Sequence, residues 1–203
     1  MPASPESHRS YGDILREPVL LHFFIGTAIS SVWYSMVFVF LPLRLNAMGA
    51  SNSYIGWIVS LCGLLALLTM SQVGRLTDRY DTAKLYLVVP VFGALRLFCM
   101  YLPERHCGWF ILIQALHIPT WVLADILQIK FIREYGPKEL LPESQALLHV
   151  SMSLGNAGGS ALGAAIAGEF GLRQVFLYAA PIPLISYFFL ARIPRLISKR
   201  DRP

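Results

Sequence analysis

The sequence has little charge, and some long stretches have none. Charged side chains make up 14% of the 203 residues, against about 25% in soluble domains, whereas hydrophobic side chains make up 55%. Residues 53–73 contain no Asp, Glu, Lys or Arg. A soluble domain of this composition would have too little polar surface to face water, so the sequence indicates a chain whose solvent is lipid.

Cysteine is also scarce, and two of the three cysteines, Cys62 and Cys99, lie inside apolar stretches. Their spacing matches neither a disulfide framework nor a metal-binding motif. The sequence has no His-rich cluster, and its glycine-rich stretch follows no strand pattern that would make it a phosphate-binding loop. We therefore predict that the chain is not an enzyme and carries neither a metal ion nor a cofactor.

Six apolar segments account for most of the chain. Each is close to the roughly 17 to 25 residues that a transmembrane helix needs, and helix is the form that satisfies backbone polar groups in lipid. The segments are residues 19–41, 53–73, 85–102, 108–131, 144–167 and 175–191. This pattern predicts an all-α membrane protein with six transmembrane helices. Its predicted parts are a tail at 1–17, a helical bundle at 18–192 and a basic tail at 193–203.

Prolines and charged residues mark the predicted ends of these helices. Pro42 is expected to end the first helix, and Pro119 is expected to bend the fourth. Residues 74–84 hold several charges between two apolar segments. We predict a polar turn there, between the second and third helices.

The distribution of Lys and Arg predicts the orientation of the bundle. Most of the 17 basic residues fall in the two tails and in the second and fourth loops, and only Arg44, Arg105 and Arg173 fall in the other loops. Cytoplasmic loops are enriched in Lys and Arg, so both termini are predicted to be cytoplasmic. The net charge of +5 is thus explained by basic residues that mark the predicted cytoplasmic side. We therefore expect no nucleic-acid partner.

The fourth segment carries a polar stripe. Its members recur at spacings of three or four residues, as Gln114, His117, Trp121, Asp125 and Gln128. Such spacings place them on one face of an α-helix, and polar groups are costly in hydrocarbon, so we expect this face to turn toward the bundle or a wet cavity. Asp125 is then a candidate proton or solute site. The alternative is a structural contact near the cytoplasmic end, with Lys130 or a neighbouring loop.

Arg96 is the one charge inside the third segment. Counted from the cytoplasmic side, Arg96 and His117 lie at depths of roughly 16 Å and 21 Å. A buried guanidinium needs a partner, so Arg96 is expected to meet the polar stripe. Arg96, His117 and Asp125, with Gln114 and Trp121, are the predicted lining of a solute or proton pathway. A purely structural ion pair at Arg96 is the alternative.

The fifth segment shows two different faces. One carries the polar residues His149, Ser153, Asn156 and Ser160. The other carries small residues at strict intervals of four, namely Gly155, Gly159, Gly163 and Ala167. Small residues let two helices approach closely, so the second face is expected to pack on a neighbour. The polar face is expected to line a cavity or, alternatively, to form helix–helix hydrogen bonds.

The turn sequence GRLTDRYDTAK resembles the loop signature of the major facilitator superfamily, G-x-L-x-D-R-x-G-R-K. Gly74, Leu76, Asp78 and Arg79 match, whereas Asp81 stands where the family has glycine. The resemblance implies one six-helix half of a facilitator fold. It also implies that Gly74, Asp78 and Arg79 form a conformational switch that locks the cytoplasmic side in one state.

Three further stretches resemble the C-terminal half of the lactose permease-like and nucleoside-symporter-like branch. They are ILREPVLL, PKELLPESQALL and GNAGGSALGAAIAG. On this resemblance, Arg96 and His117 fall on an arginine and a histidine of that branch. Thr120 falls where its proton-coupling glutamate would be, and Asn156 falls where its lysine would be. A sugar substrate therefore does not follow.

The predicted function is secondary active transport by alternating access, with proton-coupled symport of a small polar or organic solute. The expected partners are the lipid bilayer, the solute, protons and a second six-helix half, which is another chain or a second copy. A bacterial plasma (inner) membrane is the expected location. The alternative is a non-transporting membrane protein, truncated or regulatory, that pairs with a full transporter.

Overall fold

The computed structural model describes residues 11–200, which contain no β-strand. The α-helices are Tyr11–Arg16, Pro18–Ala47, Asn52–Arg79, Thr82–Tyr86, Val88–Tyr101, Trp109–Ile113, Leu123–Tyr135, Leu141–Phe170, Leu172–Ala179, Ile182–Leu190 and Ile193–Arg200. Shorter helical turns are the 3-10 segments Gln114–Leu116 and Lys138–Leu140 and the π-helical segment Ile118–Val122.

These helices join end to end into six long helical segments. Five of the six are long and apolar enough to cross a membrane, and we call them spans. They are the first span Pro18–Ala47, the second Asn52–Arg79, the third Thr82–Tyr101, the fourth Trp109–Tyr135 and the sixth Leu172–Arg200. Between the last two lies the fifth helix, Leu141–Phe170, with 30 residues. Its hydropathy is lower than that of the five spans because Gly, Ser, Asn, Gln and His interrupt its apolar residues. The predicted all-α membrane fold is confirmed.

Local sequence explains where several helices begin and end. The Ser51 hydroxyl accepts a hydrogen bond from the Tyr54 N–H at 3.2 Å, and the Asp81 carboxylate accepts one from the Lys84 N–H at 2.8 Å. Both are N-caps, which satisfy a free amide of the first helical turn. Gly49 (φ 82°) and Gly171 (φ 91°) follow the first span and the fifth helix, where glycine adopts a left-handed backbone at little cost.

Two predicted boundaries are wrong. Pro42 lies inside the first span, which continues to Ala47, because buried Arg44 and Leu45 anchor the last turns. The predicted turn at 74–84 is mostly helix, since the second span continues to Arg79. At the surface of a bilayer a helix can continue while its charged side chains project into water, so charge alone does not mark its end.

Both predicted tails contain helix within the described residues. Helix Tyr11–Arg16 lies in the predicted N-terminal tail, of which residues 1–10 fall outside the described part. Helix Ile193–Arg200 lies in the predicted C-terminal tail, of which residues 201–203 fall outside it. The two ends are close together, since a guanidinium nitrogen of Arg200 lies 3.8 Å from a carboxylate oxygen of Glu17. The cytoplasmic location of both termini stays a prediction.

The first span forms the centre of the bundle. It packs against the fifth helix along most of its length and against the sixth span, and 67% of its apolar window is buried. Aromatic contacts extend this core toward the fourth span, as where Phe23 stacks on Phe131 with ring centroids 4.2 Å apart. The arrangement brings the third and fourth spans against the first, and that is where the buried polar residues meet.

Candidate functional site

The fourth span changes its helical winding where the polar residues lie. A 3-10 turn at Gln114–Leu116 precedes a π-helical turn at Ile118–Val122. Pro119 lies within the π-turn and has no N–H to donate, which locally disrupts the α-helical ladder. Because 3-10 and π-turns have different numbers of residues per turn, this stretch directs side chains differently from a uniform α-helix.

Arg96 meets the fourth span at this irregular stretch. One terminal nitrogen of its guanidinium donates to the Thr120 hydroxyl at 3.1 Å, and the other donates to the Gln114 side-chain oxygen at 3.0 Å. The same Gln114 oxygen accepts from the Cys62 thiol at 3.0 Å. Arg96 is only 2% exposed. The third, fourth and second spans are thus joined by one buried hydrogen-bonded cluster, which we call the Arg96 cluster (Arg96, Gln114, Thr120 and Cys62).

His117 and Trp121 extend this cluster along the fourth span. Their rings stack with centroids 5.9 Å apart and planes at 10°, and His117 is buried. Trp121 also packs edge-on against Tyr34 of the first span. The Tyr34 hydroxyl donates to the backbone carbonyl of Thr120, so the first span closes the cluster on another side.

Asp125 lies one helical turn beyond Trp121 and is half-buried. Among the residues from 11 to 200 it forms no ion pair. Lys130, the predicted alternative partner of Asp125, binds the end of the second span instead. Its ammonium group lies 3.2 Å from a carboxylate oxygen of Asp78 and donates a hydrogen bond to the carbonyl of Thr77. The Lys130–Asp125 contact is therefore wrong. Asp125 is left as a carboxylate at membrane depth without a basic partner in the described chain.

The fifth helix places its two faces in different surroundings. Gly155 and Gly159 are buried against the backbone of the first span, where an added Cβ would overlap the carbonyl oxygens of Ala28 and Val32. The predicted packing role of this glycine face is confirmed. Asn156 is exposed on a different side and makes none of the hydrogen bonds of the Arg96 cluster.

The exposed side of the fifth helix also carries His149 and Ser153. Ser160, at its edge, forms a hydrogen bond with Ser35 of the first span, with 2.6 Å between the two hydroxyl oxygens. The predicted polar face is therefore divided: Ser160 joins two helices, and His149, Ser153 and Asn156 are exposed.

The residues predicted to form a conformational switch lie at the end of the second span. Asp78 contacts Lys130 of the fourth span, as described above, whereas the side chain of Arg79 is exposed. Gly74 has no atom within 4 Å of the position that a Cβ would take. Nearby, the Thr82 hydroxyl donates to a Glu134 carboxylate oxygen at 2.6 Å. At this end of the described bundle, the polar contact between the second and fourth spans is therefore made by Asp78 and Lys130.

The family model described as "MFS_1 like family" matches residues 2–178. The chain belongs to the MFS_1-like family of the major facilitator superfamily. Curated relatives are consistent with this. Multidrug resistance protein MdtG of Escherichia coli strain SMS-3-5 is 26% identical over 193 residues, covering 85% of this chain and 43% of the relative. MdtG of Escherichia coli strain SE11 is 27% identical with the same coverage.

This MFS_1-like chain therefore spans less than half the length of the curated relatives it matches. Membership of the superfamily agrees with the resemblance of GRLTDRYDTAK to its loop signature. The narrower assignment to the lactose permease-like and nucleoside-symporter-like branch stays a prediction. The membrane location follows from the five apolar spans and the family.

Sequence reasoning missed some members of this MFS_1-like site. The resemblance places Thr120 at the position of a missing carboxylate and does not indicate it as a partner of Arg96, and Cys62 lies in an apolar run that gives it no predicted role. The signal for Thr120 was Pro119 beside it, because a proline marks a place where helical phase changes. Cys62 had no such signal, since a thiol among leucines looks like any small apolar side chain.

Proposed function

We propose that this chain is one six-helix half of a secondary active transporter that works by alternating access against a second six-helix bundle. The solute path would run along the polar face of the fifth helix, with the Arg96 cluster, His117 and Asp125 deeper in the bundle. The second bundle would be another chain or a second copy of this one. A bacterial inner membrane is the location that the relatives favour.

The observation that carries the proposal is the position of Asn156. It is exposed on the fifth helix and lies midway between Leu141 and Phe170, at roughly 22 Å from either end at 1.5 Å per residue. A polar amide at that depth is costly against acyl chains. It needs water or another polar surface, and a wet path between two bundles supplies both.

The exposed surface of the second span supports the presence of a second bundle. Only 6% of its apolar window is buried within the described residues, and Trp57 is 75% exposed. Lipid alone could cover this surface. The short match to the longer relatives makes a partner bundle the better explanation, because those chains have further sequence to fill that position.

Proton coupling would use the titratable groups of the fourth span. His117 and Asp125 lie two turns apart on this span, and Trp121 stacks on His117 between them. Asp125 has no basic partner in the described chain, so its charge is free to respond to a proton or a solute. The transported compound would be a small polar or organic solute, and the name of the relatives favours drug-like compounds.

Cysteine labelling tests the path. Asn156→Cys and Leu154→Cys place thiols on exposed sides about 160° apart around the same helix. With the labelling of the unmodified chain subtracted, a water-soluble maleimide applied to membranes is expected to react with the thiol at 156 and to leave the one at 154 unreacted. Equal protection of both positions would place Asn156 in lipid and remove the path.

Flux measurements test coupling. Vesicles containing the chain would be given a pH gradient and two organic probes of opposite charge, ethidium and carboxyfluorescein. Asp125→Asn is expected to abolish the pH-driven part of the flux, whereas Glu169→Gln, at an exposed carboxylate on the fifth helix, is expected to leave it unchanged. Unaltered flux in the Asn variant would exclude a coupling role for Asp125.

The second candidate is a non-transporting membrane protein that pairs with a full transporter. The same exposed surface of the second span favours this candidate, because the surface would bind a partner protein without forming a solute path. Its signature is a folded chain that moves neither probe at any pH gradient, together with protection of position 156 from maleimide. Family membership favours either candidate over an enzyme.

A further inference from the structure

The guanidinium of Arg96 is buried without a counter-charge. Among residues 11–200 no carboxylate lies within ion-pair distance of it, and both of its hydrogen-bond acceptors, on Thr120 and Gln114, are neutral. A buried charge is strongly destabilised unless an opposite charge or many hydrogen bonds compensate it. The Arg96 cluster therefore has one positive charge that the described chain does not neutralise.

Nitrogen atoms around Arg96 also lack acceptors. The buried atoms without a hydrogen-bond partner include Nε of Arg96, Nε2 of Gln114 and Nδ1 of His117. The first two are donors, and a histidine nitrogen can donate in one tautomer. The side-chain oxygen of Gln114 is oriented toward Arg96 and Cys62, from which it accepts hydrogen bonds. Its amide nitrogen therefore faces away from these two residues and has no acceptor. The surroundings of Arg96 thus have an excess of donors over acceptors.

A small cavity borders Arg96 and His117 but not Gln114. Its polar lining comes from Arg96, His117 and Cys62, and its apolar lining comes from side chains of the first and second spans such as Phe38 and Val59. The volume of this cavity that the centre of a water molecule could occupy is about 40 Å³. A single water needs roughly 10–15 Å³ by this measure. The cavity is therefore large enough for one small ion or one carboxylate group and too small for a whole drug-like molecule.

We propose that this cavity binds a small monovalent anion, either a free halide ion or the carboxylate group of a solute. Such a ligand would accept hydrogen bonds from the residues with unpaired nitrogens that line the cavity, Arg96 and His117, and would neutralise the single charge of Arg96. A divalent anion would leave net negative charge among apolar walls, and a cation would be repelled by the guanidinium. The site is a binding property of the chain, and it requires neither transport nor a second bundle.

Equilibrium binding of radioactive chloride to the purified full chain in detergent tests the site. Saturable binding is expected, together with a rise in the unfolding temperature when chloride replaces gluconate at constant ionic strength. Acetate separates the two ligand sources. Displacement of chloride by acetate assigns the site to carboxylates as well as halides, whereas failure of acetate to compete assigns it to halides alone. Absence of saturable chloride binding together with no stabilisation by acetate would overturn the proposal.

Gln114→Glu offers a variant that should stay folded. Its carboxylate would occupy the position from which Gln114 already accepts the Arg96 hydrogen bond, and so would supply the missing charge from within. We expect at least about tenfold weaker chloride binding and a higher unfolding temperature without added anion. Unchanged chloride binding in this variant would contradict the proposal.

Two arginine variants complete the test. Arg96→Gln removes the charge, and we expect it to abolish chloride binding. Arg105→Gln removes an exposed arginine and is expected to bind chloride as the unmodified chain does. Equal loss in both variants would show that chloride responds to overall charge and not to this cavity, and would overturn the assignment even if the Arg96 variant were poorly folded.

Discussion

The first and second spans contain equally apolar stretches and have opposite surroundings. The most apolar 18-residue stretch of each has a mean hydropathy of 1.8, within helices of 30 and 28 residues. Yet 67% of the apolar window of the first is buried, against 6% for the second. Hydropathy therefore predicts that a helix lies in the membrane and does not predict what it packs against.

The difference arises from the neighbours that each span meets. The backbone of the first span lies against the glycine face of the fifth helix, at Gly155 and Gly159, and lipid tails compete poorly with such close contact. The second span presents large side chains to its surroundings, with Leu67 77% exposed. The first span is central because the fifth helix offers it small residues, whereas the large side chains of the second span find no such partner in the described bundle.

The largest expected effect comes from breaking the glycine contact of the first span. Gly159→Leu would force a side chain into the carbonyl of Val32, so we expect a loss of about 3 kcal/mol or more in stability. Gly158→Leu, next to it, has open space around its Cβ and should change stability little. Unfolding in detergent followed by circular dichroism measures both. Equal stabilities would show that the two helices separate easily, contrary to the close packing described.

Arginines near the ends of the two spans extend the comparison. Arg44 of the first span is 3% exposed and donates to the carbonyls of Met100, Tyr101 and Pro103 at the end of the third span. Arg44→Gln should leave several of these carbonyls unsatisfied and cost about 2–3 kcal/mol of stability. Arg79→Gln, at an exposed arginine ending the second span, is the matched control. A control that loses as much stability as Arg44→Gln would contradict this expectation.

Leucine truncations compare the spans directly. Leu20 is fully buried in the first span, whereas Leu67 is mostly exposed in the second. In lipid or detergent the loss is mainly one of packing, so we expect about 2 kcal/mol for Leu20→Ala and under about 0.5 kcal/mol for Leu67→Ala. Repeating the Leu67 measurement with a candidate partner bundle sharpens the comparison, because a larger loss there would show that the partner covers this surface.

A small effect is also expected at the Asp78–Lys130 contact, where Asp78 has a side chain 78% exposed. Asp78→Asn should cost under about 1 kcal/mol of stability, as for other exposed ion pairs. Its expected consequence is movement of the second span, seen as faster maleimide labelling of a thiol introduced at Thr77, which is buried. Glu169→Gln is the control. Unchanged labelling at 77 would mean that the contact does not hold the span.

Much of the fold was predictable from sequence because lipid imposes simple rules. Helix is required in hydrocarbon, so segment lengths and apolar content were enough to place the long helical segments. The boundary errors at Pro42 and Gly74 have a common cause. Both lie near the ends of spans, where contacts with other helices, such as those of Arg44 and Lys130, decide how far a helix continues.

The site was less predictable because it depends on helical phase and on long-range contacts. The polar stripe assumed uniform winding, whereas the 3-10 and π-turns between Gln114 and Val122 redirect side chains. The meeting of Arg96 with the polar stripe followed from depth alone, but its contact with Gln114 and the roles of Thr120 and Cys62 required the actual packing of three spans. The exposed position of Asn156 was likewise set by the glycine face beside it.

The ion pair between Glu17 and Arg200 has a consequence for the parity of membrane crossings. Two side chains 3.8 Å apart are expected to lie on the same side of a bilayer, and the chain between them is then expected to cross it an even number of times. Among residues 11–200, five helical segments reach the apolar character of an ordinary span, and five crossings would put the two residues on opposite sides. A crossing by the glycine-rich fifth helix, shielded from acyl chains by protein or water, would make the number even.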